Sequence, residues 1–365
     1  MASPLSFRKV RMRTYCIITQ QTFPPAAELR HFAVELHCSH GTHLYKTRKQ
    51  KDMKKVLIGI PVLDNVEITK VCLQHLYRNT ETDRSDLDVS VLIIDNGSQN
   101  DIKKILQQEF KDPAFSTYFL RNSENRGVAA AWNQIVKFVP ENEHGQSFYY
   151  DYYIVSNNDA FFGPDWLQPM VEAMETDKRI GWISTMENGS PVLKELIEAH
   201  SLSKDYRVDP QTPYTTEVIN DSLRHIYEKW GGHTSFCQLV RDNDLPLFIP
   251  FEKEGRSAVC FMVRPAMIDQ IGYFDEDYSP IGIAEDLEYF LRIERILMPS
   301  WLTDDIYPEE AKWKCGFCGR SVVHHNWCST RQGPHFDGRK WDKTREKNWK
   351  AKFGKSRKYY TKLLP

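Results

Sequence analysis

The sequence predicts an α/β fold, a mostly parallel sheet flanked by helices, and three observations carry that expectation. Short apolar runs recur at Val56–Ile60, Val89–Ile94 and Tyr152–Val155, as strands buried on both faces require. Helix-period stretches separate them. The intervals suit βαβ units, in which each crossover helix returns the chain to lay down the next strand in the same direction.

Taken in order, Val56–Ile60 is the first strand, and Pro61 is expected to end it. Asp64 or Asn65 can cap a helix running to about Arg78, with Val66, Thr69, Leu73 and Leu76 near one face. Val89–Ile94 makes the second strand, followed by Asp95-Asn96-Gly97-Ser98. A helix near 100–110 and a strand at Tyr118–Leu120 come next. After Asn125-Arg126-Gly127, the residues Val128, Ala131, Trp132, Ile135, Val136 and Val139 share one helical stripe. The run from Tyr152 then breaks into Asn157-Asn158-Asp159 and returns to Phe161-Phe162. Pro164 opens a helix to about Glu175, and a strand lies near Ile180–Ser184. Residues 187–256 are polar and proline-bearing, with one helix near 217–230. Ala258–Val263 is an apolar strand, and Arg264-Pro265 starts a helix to about Ile271. Glu285-Asp286 heads another, with Leu287, Phe290, Leu291 and Leu297 as its stripe. Ser321-Val322-Val323 is the last strand, and His324-His325 follows it.

Bulk properties bound the function. The 365 residues, 41% hydrophobic and 27% charged, suffice for one large or two ordinary domains. A formal net charge of -1 argues against a surface built globally for nucleic acid. No apolar run approaches the roughly 20 residues that span a bilayer. Of the eight cysteines only Cys315 and Cys318 are close together, which is no disulfide framework, so a reducing, cytoplasmic setting is expected. Residues 1–52 carry many basic residues but only Glu28, Glu35 and Asp52 as acids, and they lack a secretory h-region. They read as a dispensable, poorly ordered extension. The functional domain is expected over 53–335, with 187–256 as an insertion and 336–365 as a basic C-terminal helix or tail.

Asp95, Asp159, Glu285-Asp286 and His324-His325 each stand just past a buried strand or at a helix start. In a parallel sheet the strand ends gather on one edge, where α/β proteins bind ligands. Alone, each has a plain explanation: a helix cap at Asp95, a turn at Asn157-Asn158-Asp159, complementation of a helix dipole at Glu285-Asp286, surface histidines. Together they point to one cleft. Asp159 is a hard oxygen ligand suited to magnesium or manganese.

These residues carry a resemblance. Ile94-Asp95-Asn96-Gly97-Ser98, the segment from Asn122 to Ala129, the Asn157-Asn158-Asp159 triplet and the block from Phe274-Asp275-Glu276 through Ala284-Glu285-Asp286-Leu287-Glu288 to Arg292 resemble family 2 glycosyltransferases. The rhamnosyltransferase-type group is the nearest likeness. Asn125, Gly127, Ala129 and Asn133 match one of its segments, and Val323-His324-His325 with Ser329-Thr330 looks like its closing metal-histidine motif. The likeness runs from about Lys55 to Thr330. It implies a GT-A (Rossmann-like) fold and inverting transfer from a nucleoside-diphosphate sugar to a hydroxyl of a glycan or lipid-linked sugar, as in polysaccharide biosynthesis. Pro61, Asp95, Asn96, Asn125, Gly127, Asn133, Asn157 and Asn158 would bind the donor. Asp159 with His324, and His325 as its alternate, would hold Mn2+ or Mg2+ against the diphosphate. Asp286 would deprotonate the acceptor hydroxyl with Glu285 assisting, and residues 187–256 would lie on the acceptor side.

The chain departs from that pattern where Asn157 and Asn158 occupy places often held by aspartate, which leaves a weaker cation site or metal-free catalysis. Asn326-Trp327-Cys328 replaces the usual glycine-rich stretch after the histidines. Two alternatives stay open, an enzyme that glycosylates nucleic acid or protein, and an inactive relative that only binds nucleotide sugars or glycans. A nucleotidyltransferase is disfavoured, since Pro61-Val62-Leu63-Asp64-Asn65 has neither glycine nor lysine. Cys315-Gly316-Phe317-Cys318, near Cys328 and the histidines, is a candidate for structural Zn2+. Residues 339–365 set eleven Lys and Arg against Asp342 and Glu346, with Trp341, Trp349 and Phe353 interleaved. That segment reads as a solvated helix packing its tryptophans, as a contact for an anionic membrane, or as a contact for nucleic acid.

Overall fold

The computed structural model describes residues 53–80, 86–110, 115–141, 145–193, 215–252, 255–326 and 338–365, together with the backbone of residues 16–17. Its strands are β1 (Cys16–Ile17), β2 (Lys54–Val62), β3 (Leu87–Asp95), β4 (Ser116–Arg121), β5 (Tyr152–Ser156), β6 (Ala160–Phe162), β7 (Ile180–Glu187), β8 (Ile249–Pro250), β9 (Cys260–Val263) and β10 (Lys314–His325). They form one sheet in the order β1-β4-β3-β2-β5-β9-β7-β10-β6, with β8 beside β10. The block from β1 to β5 is parallel, β9 runs antiparallel between β5 and β7, and β10 is parallel to β7. The expected α/β, mostly parallel architecture is therefore the observed one. The carboxyl ends of β2, β3, β5, β7 and β10 share one edge.

Helices cover both faces: α1 (Val66–Asn79), α2 (Ile102–Glu109), α3 (Val128–Val136), α4 (Leu167–Thr176), α5 (Thr216–Ile226), α6 (His233–Asp242), α7 (Pro265–Ile271), α8 (Glu285–Ile293), α9 (Gly338–Phe353) and α10 (Arg357–Thr361). Alternate residues of each strand feed two cores. Val56, Ile58, Val91, Ile154 and Ile183 face one, while Leu57, Leu92, Tyr153, Val155 and Trp182 face the other, as a sheet buried on both sides requires.

Several expectations are corrected. Pro61 does not end its strand, because β2 pairs with β3 as far as Val62–Asp95 while its pairing with β5 stops at Gly59; proline is tolerated where a strand is paired on one side only. Asn65 stands at the cap position of α1 without a side-chain cap bond. Asp64 instead accepts from the Gln99 N–H at 2.9 Å, tying two strand-end loops together. The stripe of α3 is shorter than expected: the helix stops at Val136, Val128 and Val139 are each 38% exposed, and Phe138 packs on Tyr118 instead. Pro164 precedes α4 rather than opening it, since Asp165 adopts a left-handed conformation before the helix begins at Leu167. Leu297 lies beyond the end of α8. The 187–256 segment carries a second helix, α6, that buries Phe236, Cys237 and Val240.

The cysteine pair is also corrected. β10 begins at Lys314, so Cys315 and Cys318 lie within a strand, three residues apart and on opposite faces. Cys318 belongs to one core and Cys315 packs against the other, so they cannot share a zinc ion. The extension at 1–52 lies outside the described residues except for β1, which pairs with Tyr118 and Phe119 of β4. Ser329 and Thr330 lie outside them as well, as do Trp327 and Cys328.

Candidate active site

The first part of the site is built at the end of β3. Asp95 closes that strand, buried, and its Oδ1 accepts from the Ser98 N–H at 2.8 Å. Arg121 Nη1 stands 3.3 Å from Oδ2, yet that buried oxygen has no hydrogen-bond partner among the described residues. A buried acceptor left open in this way is suited to a ligand N–H or O–H. Gly97 makes the turn possible: its φ is +86°, and a Cβ there would stand 2.3 Å from the backbone of Glu124.

The asparagines beside it tie neighbouring loops together. Asn96 donates to Asn125 Oδ1 at 3.2 Å and to the Gly127 carbonyl at 3.1 Å. It accepts from Asn122 at 2.8 Å. Asn133, buried in α3, donates to the Phe274 carbonyl at 2.8 Å and to Glu276 at 2.7 Å, and accepts from the Phe274 N–H at 2.9 Å. These bonds bring the 122–127 loop against the 274–280 segment, where a Cβ on Gly127 would touch Pro280 at 3.1 Å. Asn158 turns inward to donate to Thr69 Oγ1 at 2.9 Å. Asn157 is half-buried and Pro61 half-buried at the end of β2.

The second part joins β5, β7 and β10. His325 Nε2 lies 3.4 Å from Asp159 Oδ1, and His325 Nδ1 lies 3.0 Å from Glu187 Oε2, close as an ion pair though not aligned as a hydrogen bond. Asn188 fixes the backbone of His325, accepting from its N–H at 2.7 Å. Burial works against a charge on the imidazole, but Asp159 and Glu187 outweigh it and push the ring up to about 10. Asp159 Oδ1 and His325 Nε2 could together hold one small divalent cation only with loss of the imidazole proton, and among the described residues no group of three His, Cys, Asp or Glu is arranged to hold a metal. Glu187 stands at the far nitrogen and fixes the ring from that side. It was not among the expected residues, because its strand was expected to end at Ser184.

His324 does not face this site. Alternation along β10 turns it into the core, where it shares a 2.8 Å hydrogen bond with the Tyr227 hydroxyl and stacks on Phe161. Burial, with His325 and His75 nearby, holds it down to about 3, a neutral ring. Of the two histidines, His325 meets Asp159 and His324 meets Tyr227.

The third part follows the 274–280 segment. Ala284 is left-handed, with φ 80°, and from it α8 begins with Glu285, buried, and Asp286, half-buried. Burial raises the Glu285 carboxyl, opposed by Arg345 of α9, which ion-pairs with it at 3.1 Å. The structure thus sets Asp95 and His325 at the carboxyl ends of β3 and β10 and Asp159 just past that of β5, holds the Glu285-Asp286 turn against α9, and buries His324 in the core.

Residues 57–225 match the profile of glycosyl transferase family 2. Over 250 residues the chain is 23% identical to the N-acetylglucosaminyl-diphospho-decaprenol L-rhamnosyltransferase of Mycobacterium tuberculosis, covering 67% of this chain and 69% of that one. Two solved structures are similar more loosely. One is a mannosyltransferase from Pyrobaculum calidifontis in complex with GDP-Man and Mn2+, at 13% identity and a TM-score of 0.42, over 75% of this chain and 57% of that one. The other is GalNAc-T7 with UDP, GalNAc and Mn2+, at 12% identity and a TM-score of 0.44, over 76% of this chain and 44% of that one. This chain thus spans less than two thirds of either structure. The stretch 57–225 is thus similar to glycosyl transferase family 2, and a longer stretch of the chain is similar to a mycobacterial rhamnosyltransferase.

Proposed function

We propose that this protein transfers a sugar from a nucleoside-diphosphate sugar to a hydroxyl of a lipid-linked sugar, inverting the anomeric centre. The observation that carries the reading is that a buried carboxylate with an open acceptor position, Asp95, and a carboxylate–histidine pair, Asp159 and His325, lie at strand ends on one sheet edge. Asp95 Oδ2 takes a base or ribose group of the donor. Asp159 and His325 hold Mn2+ or Mg2+, which when bound offsets the negative charge gathering on the departing diphosphate. Asp286 accepts the proton of the acceptor hydroxyl as its oxygen bonds to the anomeric carbon from the face opposite the diphosphate. The bond to the diphosphate breaks on the other side, which inverts the centre. Asn96, Asn133 and Asn158 act one step back, fixing the loops that carry these groups.

The acceptor class rests on the mycobacterial relative, whose name states a diphospho-decaprenol substrate. No described helix is long and apolar enough to cross a membrane. The outward face of α9 groups Arg339, Lys340, Lys343 and Lys347, which suits peripheral contact with an anionic, cytoplasmic bilayer surface. We read 53–335 as the working domain.

A thermal-shift screen of UDP-, GDP- and dTDP-sugars, with and without Mn2+, tests the reading. A rise of several degrees for one nucleotide class that requires Mn2+ supports it, since a ligand binding only the folded state at about a hundred times its Kd adds roughly 2.7 kcal/mol. No stabilisation by any donor would overturn it.

A further inference from the structure

Helix α9 and the turn that carries Asp286 both lie beyond the segment matched to the family, 57–225, and the helix packs on that turn. Arg345 Nη2 meets Glu285 Oε2 at 3.1 Å, with the two side chains 13% and 4% exposed. Asn348 donates to the Gly282 carbonyl at 3.1 Å, and Lys352 bridges Asp275 and Asp277 at the start of the same loop. Trp349 is fully buried in a cluster with Ile283, Ala284 and Leu291.

The turn they hold is an unfavourable one. Ala284 sits at φ 80° and ψ 69°, a conformation that costs a non-glycine residue on the order of 1 kcal/mol or more and persists only where its surroundings over-determine it. Glu285 folds back over Gly282, where a Cβ would stand 1.5 Å from its Oε1. The carboxylate thereby fills the space under its own turn, and Arg345 holds it there. Removing the guanidinium leaves Glu285 as an uncompensated buried charge, or drives it to take up a proton. Either way the turn loses its anchor.

We propose that Arg345 is a positioning residue for the transfer step: its guanidinium pins Glu285 over Gly282, and so keeps Asp286 aimed at the acceptor hydroxyl. The inference rests on the reading of Asp286 as the base. It extends the working site to the C-terminal helix.

The test compares wild type, Arg345→Met and Arg345→Lys by hydrogen exchange and by kinetics with whichever UDP-, GDP- or dTDP-sugar turns over fastest. In Arg345→Met the amides of residues 283–287 are expected to exchange at least about tenfold faster, while those of 152–156 are unchanged. Its kcat is expected to fall about 10- to 100-fold with the donor KM within about twofold, as misplacement of a reacting group should do. Arg345→Lys, which keeps the charge, should recover part of both losses. If Arg345→Met does not fold, Glu285→Gln removes the ion pair with little change of shape and carries the same expectation. Unchanged exchange at 283–287, an unchanged kcat, or a rise in KM alone would overturn the proposal. Should wild type turn over none of the donors, the sugar-transfer reading fails, and the exchange measurement still decides whether Arg345 holds the turn.

Discussion

Nδ1 of His325 lies 3.0 Å from Oε2 of Glu187, a pairing that its neighbour His324 does not make. β7 and β10 run in parallel with Val323 opposite Glu187. The following residues alternate, so His324 enters the core and His325 turns to the carboxylates. Glu187→Gln keeps the size of the side chain and removes its charge. We expect it to weaken Mn2+ binding about 10- to 100-fold by calorimetry, in line with other carboxylates that steer metal-bound histidines. Unchanged affinity would mean that Glu187 only fills space.

The two histidines should separate cleanly under substitution. His325→Ala is expected to abolish Mn2+-dependent binding of nucleoside diphosphate while the fold persists. His324→Phe should keep Mn2+ binding but lower stability by roughly 1–3 kcal/mol in chemical denaturation, because the buried Tyr227 hydroxyl loses its partner. The opposite pattern would restore His324 as the ligand.

Gly97→Ala addresses the nucleotide end. The new methyl group would meet the Glu124 backbone at 2.3 Å in a left-handed turn. Adjustment must move the 122–127 loop or the end of β3, and donor affinity is expected to fall at least about tenfold even where the protein folds. Wild-type affinity in this variant would show that the loop contact is irrelevant to donor binding.

Acid should destabilise the fold through His75. Burial of this ring outweighs the hydrogen bond at the Phe162 carbonyl and holds it down to about 4, against an ordinary value of 6.5. Between those values the unfolded chain binds the proton and the folded one does not. The stabilisation is therefore present above 6.5 and lost as pH falls toward 4. Denaturation at pH 7 and pH 5 should differ by on the order of 1–2 kcal/mol from this residue, a difference that His75→Gln should reduce. An identical pH response in wild type and variant would remove His75 as its source.

Much of this architecture is legible in the residues themselves. Val56–Ile60, Val89–Ile94 and Tyr152–Val155 are apolar on both faces because their sheet is covered on both faces, and the polar residues that follow them mark its carboxyl edge. The start of β10 is not legible. Cys315 to Arg320 includes Gly316 and Gly319, poor strand formers, and is extended because β7 and β8 flank it. The order of His324 and His325 depends on register, which local pattern does not specify when both neighbours are the same residue. Arg345 is sixty positions from Glu285 in the chain, and an ion pair over that distance has no signature along the sequence. Helix α6 was hidden for a different reason, since Phe236, Cys237 and Val240 are few apolar residues in a polar stretch.

The most direct test is the acceptor-dependent release of nucleoside diphosphate by wild type and by Asp286→Asn. A half-buried carboxylate serving as general base should contribute about 10²- to 10⁴-fold to the rate. We therefore predict that Asp286→Asn binds donor and Mn2+ as wild type does while its kcat falls by at least about a hundredfold. Equal turnover in the two proteins would contradict the assignment of the base, and with it the account of the site.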